Sequence, residues 1–376
     1  MSWALESQVE DWRAQGLWRD LRLIDGAQGP VVNLGGREMV NFSSNDYLGL
    51  ADSESLRNAV LEGVERYGAG SGASRLVCGT LRPHHELEQT LAAFKGTESA
   101  ITFSSGYAAA MGTIPALLGA GDSILLDKLC HASLVDAARL SGATIRVFPH
   151  NHLGKLEKLL QSASGRVLVV TESVFSMDGD RCPLEDIVAL KNRHGAWLML
   201  DEAHAVGVLG PQGRGLAAEC GLEKHVELQM GTLRKAVGLS GGYLAASREV
   251  TGWLINRARS FVYSTSPPPA IAHAAKTSLE MIQTSEGADR REKLWKRIAS
   301  LMPESKPQSA IIPWMIGDET AALEASRRMS EHGFLIPAIR YPTVARGAAR
   351  LRITCTAAHE EAMIQRLRTA LQAMPA

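Results

Sequence analysis

Apolar residues fall along the chain in two alternating textures. Short blocks that are apolar at nearly every position recur as AITF (100–103), SILLD (123–127), TIRVF (144–148), RVLVVTE (166–172) and AWLMLD (196–201). A strand covered on both faces reads this way, because neither set of alternate side chains meets water. Segments with helical spacing lie among them, near 54–66 and 84–95, from Gly106 and from His131. The alternation predicts an α/β core, a mostly parallel sheet with helices on both faces. Residues 3–20 read as an amphipathic helix carrying Trp3, Trp12 and Trp18, and residues 31–42 as a hairpin split at Gly35-Gly36. After residue 245 the texture changes to a helical stretch over about 247–302, interrupted at Pro267-Pro268-Pro269. Strand-like 309–316, a helix at 319–332, strand-like 349–354 and a final helix follow. This is a smaller α+β unit. The expected division is an N-terminal helix and hairpin (1–47) packing with the small unit, a large α/β domain (48–266) and a small C-terminal α+β domain (267–376).

Composition narrows the function. The 376 residues carry 40 basic and 40 acidic side chains, so no charge excess announces a nucleic-acid or anionic-membrane partner. No apolar run reaches the length of a membrane span, and the polar start of the chain does not read as a signal peptide. The five cysteines, Cys78, Cys130, Cys182, Cys220 and Cys355, are odd in number and widely spaced. They fit a reducing cytoplasm better than a disulfide framework.

Several short motifs compete for attention. Gly68 to Ala73 matches G-x-G-x-x-G/A, but it follows a helical segment where a dinucleotide site needs a strand, so a structural or substrate-contacting loop is expected. Gly238-Leu239-Ser240-Gly241-Gly242 matches G-x-S-x-G. Strand-like GGYLAA follows Ser240 where a nucleophile elbow needs a helix, which leaves a serine hydrolase as the runner-up of a different class. His150 and His152 have no carboxylate nearby in sequence to complete a metal site and read as solvated loop residues. A more coherent set runs through the α/β region. Ser104-Ser105-Gly106-Tyr107 joins a strand to a helix, where free backbone N–H groups can cradle a phosphate. Asp201 ends a buried strand, the place where α/β proteins bind ligands, and His204 follows it. Lys235, in Thr232-Leu233-Arg234-Lys235, stands among small and apolar residues that can desolvate its amine. A phosphate cradle, a strand-end acid and a lysine are what pyridoxal 5'-phosphate (PLP) requires.

NFSSNDYLGL (41–50), CHASLVDAARLSGA (130–143), TESVFSMDGD (171–180), DEAHAVGVLGPQGRG (201–215), YSTSPPPA (263–270) and ARLRITCTAAH (349–359) resemble blocks of the α-oxoamine synthase family of fold-type I PLP enzymes. The resemblance runs from about residue 12 to 372. NFSSNDYLGL, YSTSPPPA, DRREKL (289–294) and AIRYPTVARG (338–347) are most similar to the branch that condenses L-alanine with a pimeloyl thioester, carried by CoA or by an acyl-carrier protein. The Tyr341-Pro342-Thr343-Val344 run also resembles the glycine-plus-succinyl branch, and a glycine-acetyl enzyme shares the same core.

The resemblance implies a PLP-dependent decarboxylative condensation with no metal. It implies that Lys235 carries the cofactor and serves as base, Asp201 holds the pyridine nitrogen, and His131 stacks on the ring. Ser176 and His204 would contact the ring oxygen. Ser105, Gly106, Tyr107 and Thr232 would hold the phosphate, joined by Thr265 from a neighbouring subunit of a homodimer with shared active sites. Arg352 would take the amino-acid carboxylate, and Asn45, Arg19, His131 and Thr354 would complete the substrate site. Arg234 departs from the family, which has a small residue before the lysine. It could reach the phosphate, solvent or the acyl-carrier entrance.

Overall fold

A computed structural model describes residue 3 and residues 5–374. Its centre is a seven-stranded sheet in the spatial order Ser99–Phe103, Gly242–Ala246, Leu228–Thr232, Trp197–Asp201, Val167–Glu172, Ser123–Asp127, Thr144–Phe148. Six strands run in one direction, five of them paired side by side in parallel. Gly242–Ala246 is antiparallel to both neighbours, because the loop 233–241 that leads into it is too short for a crossover. The unbroken apolar runs have the expected cause. Leu125, Val169, Leu198, Leu200 and Tyr243 pack into one core, while their alternates Ile124, Leu126, Leu168, Val170, Met199 and Leu244 pack into another. Helices Arg82–Lys95, Leu184–Arg193 and Pro269–Ile282 bury leucines and isoleucines in the first core, and Gly106–Leu117, Ala132–Ser141 and Arg248–Arg257 cover the second.

Strand Leu228–Thr232 has no counterpart among the sequence expectations. LQMGT carries a single β-branched residue, a glutamine and a glycine, and β propensity misses it. Tertiary packing explains the glycine: a Cβ at Gly231 would sit 2.4 Å from the Tyr243 hydroxyl on the next strand.

The hairpin forms as Val31–Leu34 and Arg37–Asn41, with Gly35 and Gly36 both at positive φ, as a two-residue turn needs. Short Ile24–Asp25 pairs on one edge, and Phe334–Leu335 joins the other edge in parallel. A third, antiparallel sheet is ordered Ile311–Gly317, Ala349–Thr354, Ala338–Ile339. The N-terminal helix is shorter than expected. It spans Leu5–Ala14, gives way before left-handed Gly16 and buries none of its residues, so Trp3, Trp12 and Trp18 stand in solvent. Among the described residues no helix is long and apolar enough to cross a membrane.

The solvated reading holds for His152, which is exposed, and is corrected for His150. His150 Nδ1 lies 3.1 Å from Asp127 Oδ1 and its Nε2 2.7 Å from Asp180 Oδ2. Its ring stands edge-on to Phe175 at 4.3 Å. His152 caps helix Leu153–Gln161, with Nδ1 accepting the Lys155 amide. Sequence distance hid the acids, which lie 23 and 30 residues from His150.

Burial opposes the His150 charge, but the two carboxylates outweigh it and raise its pKa to about 10. The unfolded imidazole titrates near 6.5, so the folded state holds the proton more tightly. The stabilisation is full below about pH 6.5 and is lost as the pH rises through about 10. His150→Gln should cost roughly 3 kcal/mol at pH 6, because it strands buried Asp127. Urea titrations of both proteins from pH 6 to 10 should show the difference shrinking as pH rises; a difference that grows would contradict the ion-pair assignment.

Candidate active site

The carboxyl ends of the parallel strands create the site. Glu172 and Asp201 end neighbouring strands in register and point to the same side. Thr232 ends the next strand, and the loop after it carries Lys235. A cavity of about 350 Å³ opens there, lined by Asn45, Gly106, Tyr107, His131, Ser133, Glu172, Asp201, Ala203, His204, Met230, Thr232, Arg234 and Lys235.

The loop is held by its own backbone. Leu233 and Leu239 amides donate to Gly241 and Leu233 carbonyls, and the Thr232 hydroxyl donates to Gly241 O at 2.9 Å. Gly238 has φ +77, and a Cβ there would lie 2.9 Å from the Ala51 backbone. The glycines of G-x-S-x-G therefore serve the chain path. Ser240 is exposed, with no histidine bonded to it, and the hydrolase reading fails.

Lys235 Nζ lies 2.7 Å from His204 Nε2. Burial lowers its pKa to about 8, against the pull of Asp201 and Glu172. Burial raises Asp201, which Lys235 partly offsets, and it raises Glu172 further, with Asp201 adding to the effect. Asp201 Oδ1 accepts the Ala203 amide at 2.9 Å. Burial and the Lys235 charge keep His204 neutral. His131 caps helix Ala132–Ser141, with its Nδ1 against the Ser133 hydroxyl at 2.8 Å and its backbone N–H donating to Glu172.

Gly106 and Tyr107 open helix Gly106–Leu117, where first-turn N–H groups have no partner within the helix. Ser105 caps that helix, its hydroxyl oxygen accepting the Ala108 amide at 3.0 Å. The cradle lies hard against the sheet: a Cβ on Gly242 would come within 2.4 Å of Gly106 N and Ser105 C. Arg234 is exposed at the cavity rim.

Not every expected residue meets here. Arg352 and Ser176 stand behind the lining. Arg352 Nε donates to Ser176 O at 2.6 Å, and its Nη2 donates to Asn45 Oδ1 at 3.1 Å. Thr354 is a correction: it is fully buried, its hydroxyl donates to Phe42 O, and it lines neither this cavity nor the larger one around Arg19. Thr265 is exposed, pairs through its backbone with Ser74 and does not line its own chain's cavity. Arg19 lines a second cavity of about 980 Å³ with Trp18, Arg22, Arg340 and Thr343, and its Nη2 donates to Thr343 Oγ1 at 3.1 Å. Ser43 lines that cavity and Asn45 the smaller one, so segment 43–45 stands between them. Sequence reading missed Glu172, Tyr47 and Thr343. Glu172 carried the same signal as Asp201, an acid ending a buried strand.

The chain matches the class I and II aminotransferase family over residues 37–371. It is 48% identical to 8-amino-7-oxononanoate synthase of Geobacter sulfurreducens, over 97% of this chain and 96% of that protein. The chain belongs to the 8-amino-7-oxononanoate synthase family. A solved structure of that enzyme from Francisella tularensis superposes with a TM-score of 0.77 at 28% identity, covering 89% of this chain and 97% of that one. A serine palmitoyltransferase from S. paucimobilis with bound PLP superposes with a TM-score of 0.92 at 30% identity, covering 98% and 96%. The family member described here is a PLP enzyme, and its cavity fits the cofactor. A desolvated amine, a buried acid and an open helix N-terminus line one space, and glycine at 242 lets that helix N-terminus sit against the sheet.

Gly242→Ala should push the Ser105–Gly106 turn off the sheet. Absorbance titration of the variant with PLP should show affinity weakened by about tenfold or more, since phosphate contacts at a helix N-terminus depend on position. Unchanged affinity would remove the cradle assignment.

Proposed function

We propose that this enzyme catalyses the decarboxylative condensation of L-alanine with a pimeloyl thioester, giving 8-amino-7-oxononanoate, carbon dioxide and free thiol in biotin biosynthesis. The observation that carries the reading is the Lys235 amine, held by His204 and facing Asp201 within one cavity, in a chain 48% identical to a synthase of that name. When bound, PLP supplies an electron sink for the carbanion at the alanine α-carbon.

The chain's residues do the rest. Lys235, its pKa brought down to about 8, is poised to take the α-proton on Nζ and return it to the product carbon. Asp201 would supply the carboxylate for the cofactor's ring nitrogen, the N–H groups of Gly106 and Tyr107 would hold its phosphate, and His131 would pack against its ring. Arg352, with Asn45 and Ser176 on it, offers a guanidinium to the alanine carboxylate. The larger cavity takes the acyl thioester. Its Arg19, Arg22 and Arg340 suit the anionic groups, and Leu23, Leu335 and Ile336 suit the methylene chain.

The reading includes a homodimer in which Thr265 serves the neighbouring subunit's phosphate. Support comes from exposed Leu76, Val77 and Tyr263, which lie close in the chain to the Ser74–Thr265 backbone pair. It also includes a cytoplasmic location, supported by five free cysteines.

Pimelate has three methylenes more than succinate. At about 0.8 kcal/mol for each buried methylene, the pimeloyl thioester gains about 2.4 kcal/mol, roughly 50-fold. The kcat/KM for alanine plus pimeloyl-CoA should exceed that for glycine plus succinyl-CoA by at least that order; a win for the glycine pair would reassign the substrate. For the shared site, mixing inactive Lys235→Ala with an inactive Thr265→Ala variant should restore part of the activity through hybrid dimers. No recovery after verified subunit exchange would refute the shared phosphate contact.

A further inference from the structure

Tyr47 is fully buried, yet its hydroxyl stands in the middle of a polar chain that crosses the site. Arg352 Nη2 donates to Asn45 Oδ1 at 3.1 Å. The Tyr47 hydroxyl lies 3.2 Å from that same oxygen and 2.6 Å from His204 Nδ1. His204 Nε2 lies 2.7 Å from Lys235 Nζ. Four consecutive contacts thus run from Arg352 to the lysine amine.

A phenol has one proton to give, an amide oxygen can only accept, and a neutral imidazole carries one N–H. His204 is neutral for the reasons given above. Tyr47 keeps its proton, since burial pushes its pKa up to about 12 despite nearby Arg352. Two arrangements follow from the His204 tautomer: the first places a proton in all four contacts, and the second leaves Asn45 Oδ1 with the Arg352 donor alone. In the first, Tyr47 donates to Asn45 and accepts from His204 Nδ1–H, so bare Nε2 accepts from a Lys235 ammonium. In the second, Tyr47 donates to His204 Nδ1, and Nε2–H donates to a neutral Lys235 amine. The two differ by one proton, the one that Lys235 exchanges with the substrate.

We infer that Tyr47 is a positioning residue that sets the tautomer of His204, and so links the Asn45–Arg352 end of the site to the proton state of Lys235. The other groups acting on Lys235 are Asp201 and Glu172 from the strand ends and Arg352 from the antiparallel sheet; His131 also acts on His204. All of them stay in place when the Tyr47 hydroxyl alone is altered. The inference rests on Lys235 being the base of the proposed reaction.

The test uses holoenzyme with L-alanine and pimeloyl-CoA. Tyr47→Phe keeps the ring and its volume. Its kcat should fall by about tenfold or more, a part of the roughly 10²–10⁴-fold that a general base contributes, while KM for alanine changes by less than about threefold. A ring-fluorinated tyrosine at position 47 should decide the matter even if the phenylalanine variant is poorly folded. A more acidic phenol is a better donor and a poorer acceptor, so it favours the arrangement with neutral Lys235. The ionisation of Lys235 in the kcat–pH profile should then move to lower pH by at least about half a unit. An unmoved profile, with the lysine-linked cofactor absorbance intact, would overturn the role of Tyr47 and leave the Lys235 reading standing. Borohydride reduction that attached the cofactor to a different lysine would instead overturn the base assignment, and this inference with it.

Discussion

Two carboxylates, Glu172 and Asp201, lie side by side at the buried ends of adjacent strands, and the amine of Lys235 is the cation that faces both. Like charges this close in a desolvated place cannot both stay ionised without a counter-charge. The sheet order brings the acids together, and the short loop after Thr232 brings the cation back over them. The antiparallel strand Gly242–Ala246 follows from that loop, and the glycines at 238 and 242 follow from how tightly it must pack. Much of the local architecture answers one electrostatic requirement.

A second charged pair lies just behind the first. Lys95 and Glu202 are both fully inaccessible and bonded to each other, and Glu202 also accepts the Ala217 amide. Glu202 follows Asp201 directly, and its backbone N–H donates to Met230 O on the next strand. Buried pairs of this kind contribute little net stability but impose a definite geometry when fully bonded. Here that geometry belongs to the residue next to Asp201, which lines the cavity.

The sheet was legible because burial on both faces leaves a continuous apolar run, as in four of the strands read from sequence; the fifth, edge strand Thr144–Phe148, was found from its β-branched residues although it buries only Phe148. Leu228–Thr232 was not, because its identity comes from the neighbours it packs against. In the site, Lys235, Asp201, Gly106 and His204 could be read from strand ends and turns. Thr354 was misjudged because sequence places it two residues from Arg352 but does not show that its hydroxyl is turned to Phe42. Arg19 and Thr343 are 324 residues apart and meet only through the fold. His150 was misread for the same reason.

Strand Phe334–Leu335 pairs with Arg37–Asn41, with Phe334 opposite Val40. The hairpin that leads into Asn45 and Tyr47 therefore waits for a partner made 294 residues later in synthesis (334 − 40). At roughly 5–20 residues per second, that delay is on the order of 15 to 60 seconds. The parallel sheet can close around its own core during that time, but the hairpin leading to the wall between the two cavities is paired only once Phe334–Leu335 has been made. A nascent chain would thus hold the floor of the smaller cavity well before the larger cavity has its far wall.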